Sequence, residues 1–214
     1  MKDYRDNARI IAKIIRENNT MTLSTKNKNG QIWATKVFYG ESGSDIYVIL
    51  EKNGHAYNNI LENNEVFFVI DKNDPSSFIQ GVAEAKIVGD TSNTPERSIV
   101  TRKNYAIVPF LRSNNDTVVV KLEIKKLYVS YFVEGWKPRF EVEVDDYMRE
   151  LIKKEINKVP KIKYYIQSTR PWSLVATFGA VLIGTLVSPV IDIFKFILVL
   201  VGAFSVHLGV NAIS

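Results

Sequence analysis

The C-terminal stretch from Arg170 to Ser214 limits what this chain can become. Pro171 to Ile191 carries no ionisable side chain, Asp192 and Lys195 interrupt, and Phe196 to Ser214 continues with one histidine and no formal charge. A bilayer core of about 30 Å needs roughly 20 predominantly apolar residues as helix, and each run is about that length. Lys153, Lys154, Lys158, Lys161, Lys163 and Arg170 stand just before the first run, an excess that predicts a cytoplasmic N-terminal side. Two spans joined at Ser188 to Lys195 would return the C-terminus to that side. Small residues four apart, Ala180 with Gly184 and Ser205 with Gly209, suit close helix contact in lipid. The alternative is a helical hairpin buried inside a water-soluble protein. Taken as spans, the runs divide the chain into a domain at 1–145, a basic helical linker at 146–170 and a transmembrane hairpin at 171–214.

Charge follows the same division. Residues 1–145 carry 20 basic and 19 acidic side chains, residues 146–170 seven and three, and residues 171–214 one of each. The basic excess therefore sits in front of the first span. Anionic lipid headgroups explain it more economically than nucleic acid does, so membrane lipid and no nucleic acid is the expected partner set. There is no cysteine, which removes disulfides, thiolate metal sites and thiol nucleophiles. Met1 to Arg16 is charged throughout, unlike a signal peptide. The expected location is the cell membrane, with residues 1–145 facing the cytoplasm.

Within that domain, Ile10, Ile11, Ile14 and Ile15 share one face of a helix predicted over Tyr4–Asn19. Strands are predicted at Met21–Thr25, Gln31–Tyr39, Asp45–Leu50, Glu65–Asp71, Ser77–Val88 and Thr117–Phe132, with a short edge strand at Phe140–Val144 after a break at Gly135–Arg139. Turns fall at Asn27–Gly30 and Gly40–Ser44. Short helices are predicted at His55–Asn63, at Thr94–Asn104 with Thr94 as N-cap, and at Asp145–Asn157. Many short strands joined by tight turns, with only short helices between them, predict a mainly β, closed or partly closed barrel.

No metal-ligand cluster is visible, and Gly40-Glu41-Ser42-Gly43 lacks the lysine and helix of a P-loop. The segment Thr35 to Asn59 holds what chemistry there is. Lys36 falls on a strand, Lys52 and Asn53 in a loop, and His55 opens a helix whose free N–H groups would face an anion. Trp33, Phe38 and Tyr39 could flank a flat ring. Residue by residue the same aromatics also suit a core and the lysines a solvated surface, so the order of elements has to decide.

That order, with Met21-Thr-Leu-Ser-Thr-Lys-Asn-Lys-Asn-Gly30, Ala34-Thr35-Lys36-Val37-Phe38-Tyr39, Asp45-Ile-Tyr-Val-Ile-Leu50 and His55-Ala-Tyr-Asn-Asn-Ile-Leu-Glu-Asn-Asn-Glu-Val66, resembles the pyridoxamine 5'-phosphate oxidase-like split barrels. Ile79 to Gly89 is similar to that family's next strand. The resemblance spans roughly Ile10 to Phe140. It implies a Greek-key, flavin-binding split barrel and a homodimer with FMN, or a deazaflavin, at the subunit interface. Thr35, Lys36, Val37 and Phe38 would lie along the ring, with Lys52, Asn53 and His55 near the phosphate. The chain departs from the family where a Ser/Thr and a Lys are usual: Glu51 and Ala56 fall close to those places.

The tail carries a second resemblance. Ile166-Gln-Ser-Thr-Arg-Pro-Trp-Ser173 and His207-Leu-Gly-Val-Asn-Ala-Ile-Ser214 resemble the start of the UbiA family of intramembrane aromatic prenyltransferases. The resemblance assigns Arg170, His207 and Asn211 to a prenyl diphosphate pocket. The aspartates that would hold Mg2+ there do not occur in this sequence, and one carboxamide cannot replace them. The expected function is therefore a membrane-tethered, FMN-binding, oxidoreductase-like protein acting on a quinone-like or other lipid-soluble substrate. The alternatives are a fragment of a prenyltransferase with the barrel as a docking or regulatory domain, and a non-catalytic binding module.

Overall fold

Helix α1 (Lys2–Glu17) buries the face that its isoleucine spacing marks, with Ile10, Ile11, Ile14 and Ile15 all in the core. Asn18 ends it, its side-chain amide donating to the Ile14 carbonyl at 2.7 Å. The computed structural model describes residues 2–72, 76–114, 116–132, 137–158, 178–179, 181–183 and 193–213. The chain divides into two units, Met1–Val159 and Pro160–Ser214.

The first unit is mainly β. Its strands are β1 (Thr20–Lys26), β2 (Ile32–Ser42), β3 (Asp45–Glu51), β4 (Glu65–Asp71), β5 (Ser77–Asp90), β6 (Thr117–Tyr131) and β7 (Lys137–Glu143). They lie in the order β3-β2-β1-β4-β5-β6-β7, and β3 also pairs with β6. That extra seam closes the first six into a barrel and leaves β7 as a flap on β6. Alternation fills the inside: Val118, Val120, Leu122 and Ile124 of β6 join Leu23, Val48, Phe68 and Ile79 in one core. Val119, pointing outward, packs with Ile49 beneath helix α3 (Arg97–Lys103) and helix α4 (Val108–Ser113). Gly81 is required where β5 crosses β4, because a Cβ there would lie 2.1 Å from the Phe68 ring.

Helix α3 sits directly on β2. A side chain at Gly40 would come within 2.3 Å of the Ile99 carbonyl oxygen, so glycine sets the approach. The contact is sealed by a buried ion pair: Lys103 bonds Glu41, their side chains only 5% and 4% exposed. The same ammonium donates to the Ile15 carbonyl at 2.7 Å and stands 4.1 Å above the Tyr39 ring. Burial pushes its pKa below the ordinary value, against the upward pull of Glu41. Tyr39 donates to that same Ile15 carbonyl at 2.6 Å, so α1, β2 and α3 meet at one point.

Four boundaries differ from the sequence expectation. Strand β2 continues through Gly40–Ser42, and the turn contracts to Gly43 and Ser44, where the φ of 64° at Gly43 needs glycine. Helix α3 starts at Arg97, with Thr94 to Glu96 held as turns by the Thr94 and Pro95 carbonyls. A 3-10 turn at Tyr105–Ile107 and α4 occupy a stretch given no element. Strand β7 begins at Lys137, inside the expected break. Helix α2 (His55–Glu62) and helix α5 (Asp146–Asn157) fall where expected, α5 capped by Asp145, which accepts from the Met148 N–H at 2.8 Å.

In the second unit the expected first span, 171–191, lies almost wholly outside the described residues. Helix α6 (Ile193–Ile213) occupies the second. Ile193, Phe194, Ile197, Leu198, Val199 and Val201 are exposed on it. Its described side chains stop at Ser205. Among the described residues no helix is long and apolar enough to cross a membrane.

Candidate functional site

Strand β2 changes partner along its length and is paired on one side at a time. Residues 32–38 pair with β1, whereas only Tyr39–Ser42 pair with β3. From Ile32 to Phe38 one edge of the strand is therefore free of the sheet, and the barrel is split beside it. Residues directly opposite in an antiparallel pair share a face. Trp33, Thr35 and Val37 oppose Thr25, Leu23 and Met21, all buried, so they point to the inner side. Lys36 and Phe38 point outward, and Phe38 packs on the outer cluster beneath α3 and α4. The four strand residues expected along one ring thus divide between two faces.

Helix α2 stands at the split, packed on β1, β2 and β3. Its Asn59 is buried and donates to Thr25 Oγ1 at 3.1 Å, and Thr25 Oγ1 lies 3.5 Å from the Trp33 carbonyl oxygen. His55, the first residue of α2, meets Trp33 with ring centroids 4.3 Å apart and planes tilted by 40°. Trp33 is 48% exposed although it points inward, which marks the open mouth. No side chain caps the α2 N-terminus. Its first-turn N–H groups thus lack an intrahelical acceptor, a setting that favours an anion. The structure brings Trp33 and His55 together, with Thr35 on the same face of β2 as Trp33; Lys36 is exposed on the opposite face with no ion-pair partner among the described residues. Asn53 is exposed in the loop before α2.

Lys52 is directed elsewhere. Its ammonium is 2.9 Å from Asp90 and 3.7 Å from Asp116. In the barrel β3 has β2 on one side and β6, then β5, on the other. Asp90 ends β5, so the amine reaches across the start of β6, away from Trp33. The Asp90 hydrogen bond raises the Lys52 pKa above its ordinary value. The preceding Glu51 accepts from the Asn114 side chain at 2.9 Å. The corner expected to meet a phosphate therefore holds three carboxylates and one committed lysine.

Sequence reasoning missed Thr25, Asn59, Asp90 and Asp116. Asn59 left one legible signal, a polar residue on the Ala56/Ile60 face that α2 buries. Of the tail residues, Arg170 lies outside the described residues. His207 and Asn211 fall on α6, where only the backbone is described.

A family profile described as pyridoxamine 5'-phosphate oxidase matches residues 9–131, which run from α1 to the end of β6. The chain belongs to the pyridoxamine 5'-phosphate oxidase family. Solved structures agree on the fold. A heme binding protein from Mycobacterium smegmatis is similar at 18% identity and a TM-score of 0.53, covering 71% of this chain and 60% of that one. ChuZ of Campylobacter jejuni follows at 16% and 0.52, covering 62% and 57%. A protein related to general stress protein 26 from Clostridium acetobutylicum, of the pyridoxinephosphate oxidase family, has 9% identity and a TM-score of 0.54, covering 67% and 98%. The chain thus spans about three-fifths of the first two. Among curated proteins none matches it in sequence. The family match ends at residue 131, so the UbiA-like reading of the tail rests on its sequence pattern alone.

Membership of the pyridoxamine 5'-phosphate oxidase family raises the question of FMN. The Trp33–His55 pair offers aromatic surface to a planar ring, and the uncapped α2 N-terminus offers N–H donors to a phosphate. In chemical type these residues fit such a ligand. Lys52, as Asp90 and Asp116 hold it, is not part of the set.

Proposed function

We propose that the barrel binds a flavin ring at the Trp33–His55 mouth and serves membrane-associated redox chemistry on a quinone-like, lipid-soluble substrate. The observation that carries this reading is the aromatic pair at the split end of a barrel of this family. FMN, or a deazaflavin, would supply the electron transfer. The chain's own residues would do the rest: the touching Trp33 and His55 rings give the flavin one aromatic surface, Thr35 lies on the same inner side of β2, and the α2 N-terminus receives the phosphate.

Two further parts of the reading have separate support. A homodimer is supported by the outer face of the barrel, where Ile32, Phe67 and Tyr128 are exposed on β2, β4 and β6. A membrane tether is supported by the exposed apolar side chains of α6 and the basic segment before residue 171.

The test is the absorption spectrum of the full chain purified in detergent, before and after adding FMN. The expected result is a two-band flavin spectrum and quenched flavin fluorescence, both weakened by Trp33→Ala. A colourless protein that leaves FMN fluorescence unchanged overturns the reading. A second reading, haem binding, is favoured by the free ring nitrogens of His55, which has no hydrogen-bond partner among the described residues. One similar fold, described as a heme binding protein, adds to it. A Soret band on adding hemin, lost in His55→Ala, would select it instead.

A further inference from the structure

The Lys52 bridge gives the barrel mouth a ligand selectivity of its own, provided that the mouth holds a flavin as proposed above. We propose that Asp90 and Asp116 withhold the Lys52 ammonium from the ligand, so that the site reads the ring and gains little from its phosphate. The bridge is built rather than incidental. Lys52 is anchored by backbone as well as side chain, its N–H donating to the Asp116 carbonyl at 3.0 Å. Glu51 is tied to Asn114, two residues before Asp116. Next to Asp90, Thr91 shares a buried hydrogen bond with Thr117 at 2.6 Å, and its N–H donates to the Thr117 carbonyl at 3.0 Å. Both ends of the bridge are thus pinned to the first residues of β6.

The electrostatic consequence has a definite sign. A phosphate arriving at the α2 N-terminus meets favourable N–H groups but also the nearby carboxylates of Glu51, Asp90 and Asp116. To recruit Lys52 it must outcompete two carboxylates already paired, and each would then be left beside a new negative charge. A neutral ring with an uncharged side chain bears none of that cost. The wild-type protein is therefore expected to bind riboflavin and FMN with affinities within about threefold of each other, a difference under one kcal/mol. Neutralising the two carboxylates frees Lys52 and shifts the balance to FMN alone.

The experiment is a double-mutant cycle on the full chain in detergent, titrated with FMN and with riboflavin by fluorescence quenching. Asp90→Asn combined with Asp116→Asn should tighten FMN by about three- to tenfold and leave riboflavin unchanged, the scale of one partly exposed charge pair. Lys52→Ala should weaken FMN modestly in the wild-type background, because Asp90 and Asp116 lose their cation, should leave riboflavin unchanged, and should erase the FMN gain in the double variant. Thermal melts of each variant identify any loss of fold, and Asp90→Glu, which keeps the charge, should retain wild-type selectivity. If the FMN gain persists without Lys52, the effect is a general field and the proposal is wrong. If both flavins tighten together, it is equally wrong. If neither flavin binds the wild-type chain, the flavin reading itself falls, an outcome separate from an unmoved FMN-to-riboflavin ratio in a chain that binds both.

Discussion

Replacing Lys103 by methionine should cost this protein more stability than a typical point substitution. The lysine is nearly fully buried, pairs with an equally buried Glu41, and donates to the Ile15 carbonyl. Removing one member of a buried pair takes away the main compensation of the other charge, which costs about 3–5 kcal/mol. Loss of the bond to Ile15 adds roughly 1 kcal/mol, and the methionine's apolar contacts give back a similar amount. A net loss of about 3–5 kcal/mol lowers Tm by on the order of 10 °C in a chain of this size. Thermal unfolding followed by circular dichroism on the full chain reads this directly. Glu41→Leu should be similarly harmful. The double variant Lys103→Met with Glu41→Leu should return to within about 1–2 kcal/mol of wild type, because no buried charge is stranded. A single-variant loss below about 1 kcal/mol, or a double variant as poor as the sum of the singles, would refute the reasoning.

Two other outcomes concern the barrel itself. Gly81→Ala places a methyl inside the Phe68 ring position and should destabilise by at least about 1–3 kcal/mol, with Phe68→Leu in the same chain recovering part of it; equal stability of Gly81→Ala and wild type in urea would contradict the close contact. Glu123 is held at a pKa of about 2 by hydrogen bonds from Lys86 and then Lys125. Its folded value lies below the ordinary carboxylate value of about 4.3, so its contribution is present above that pH and is lost as pH falls towards 2. Allowing for its partial exposure, Glu123→Gln should remove about 1 kcal/mol at pH 7 and nothing near pH 2, as read from urea midpoints across that range.

Much of this architecture is legible in the residues. β4 lies where its Val-Phe-Phe-Val-Ile run predicts, and β3 ends within one residue of its predicted limit, because turn residues bracket both. Helix α4 was not legible: Tyr105 to Phe110 is an apolar run with no capping residue, and Pro109 reads equally as a breaker or as a first-turn helix residue. The site divides along the same line. His55 at a helix start and Trp33 on a strand can be placed from local pattern. That their rings touch depends on how β2 and α2 close the split, which no local signal encodes. The Lys52–Asp90 pairing joins positions brought together only by the β3–β6–β5 arrangement, so a lysine that looks available in sequence is already engaged in the fold.

The half-zipped β2 separates two burdens that most barrel strands carry at once. Ring closure runs through the β3–β6 seam, through Tyr39–Ser42 against β3 and through the backbone of Ile32–Phe38 against β1, while the other edge of Ile32–Phe38 pairs with no strand. Substitutions at its exposed positions, Trp33 above all, change what the mouth presents while the backbone pairing to β1 and the packing of Val37 and Phe38 stay in place. Lineages of such a barrel are thus at liberty to exchange one guest for another by drift at a handful of positions, the scaffold registering almost nothing of the change.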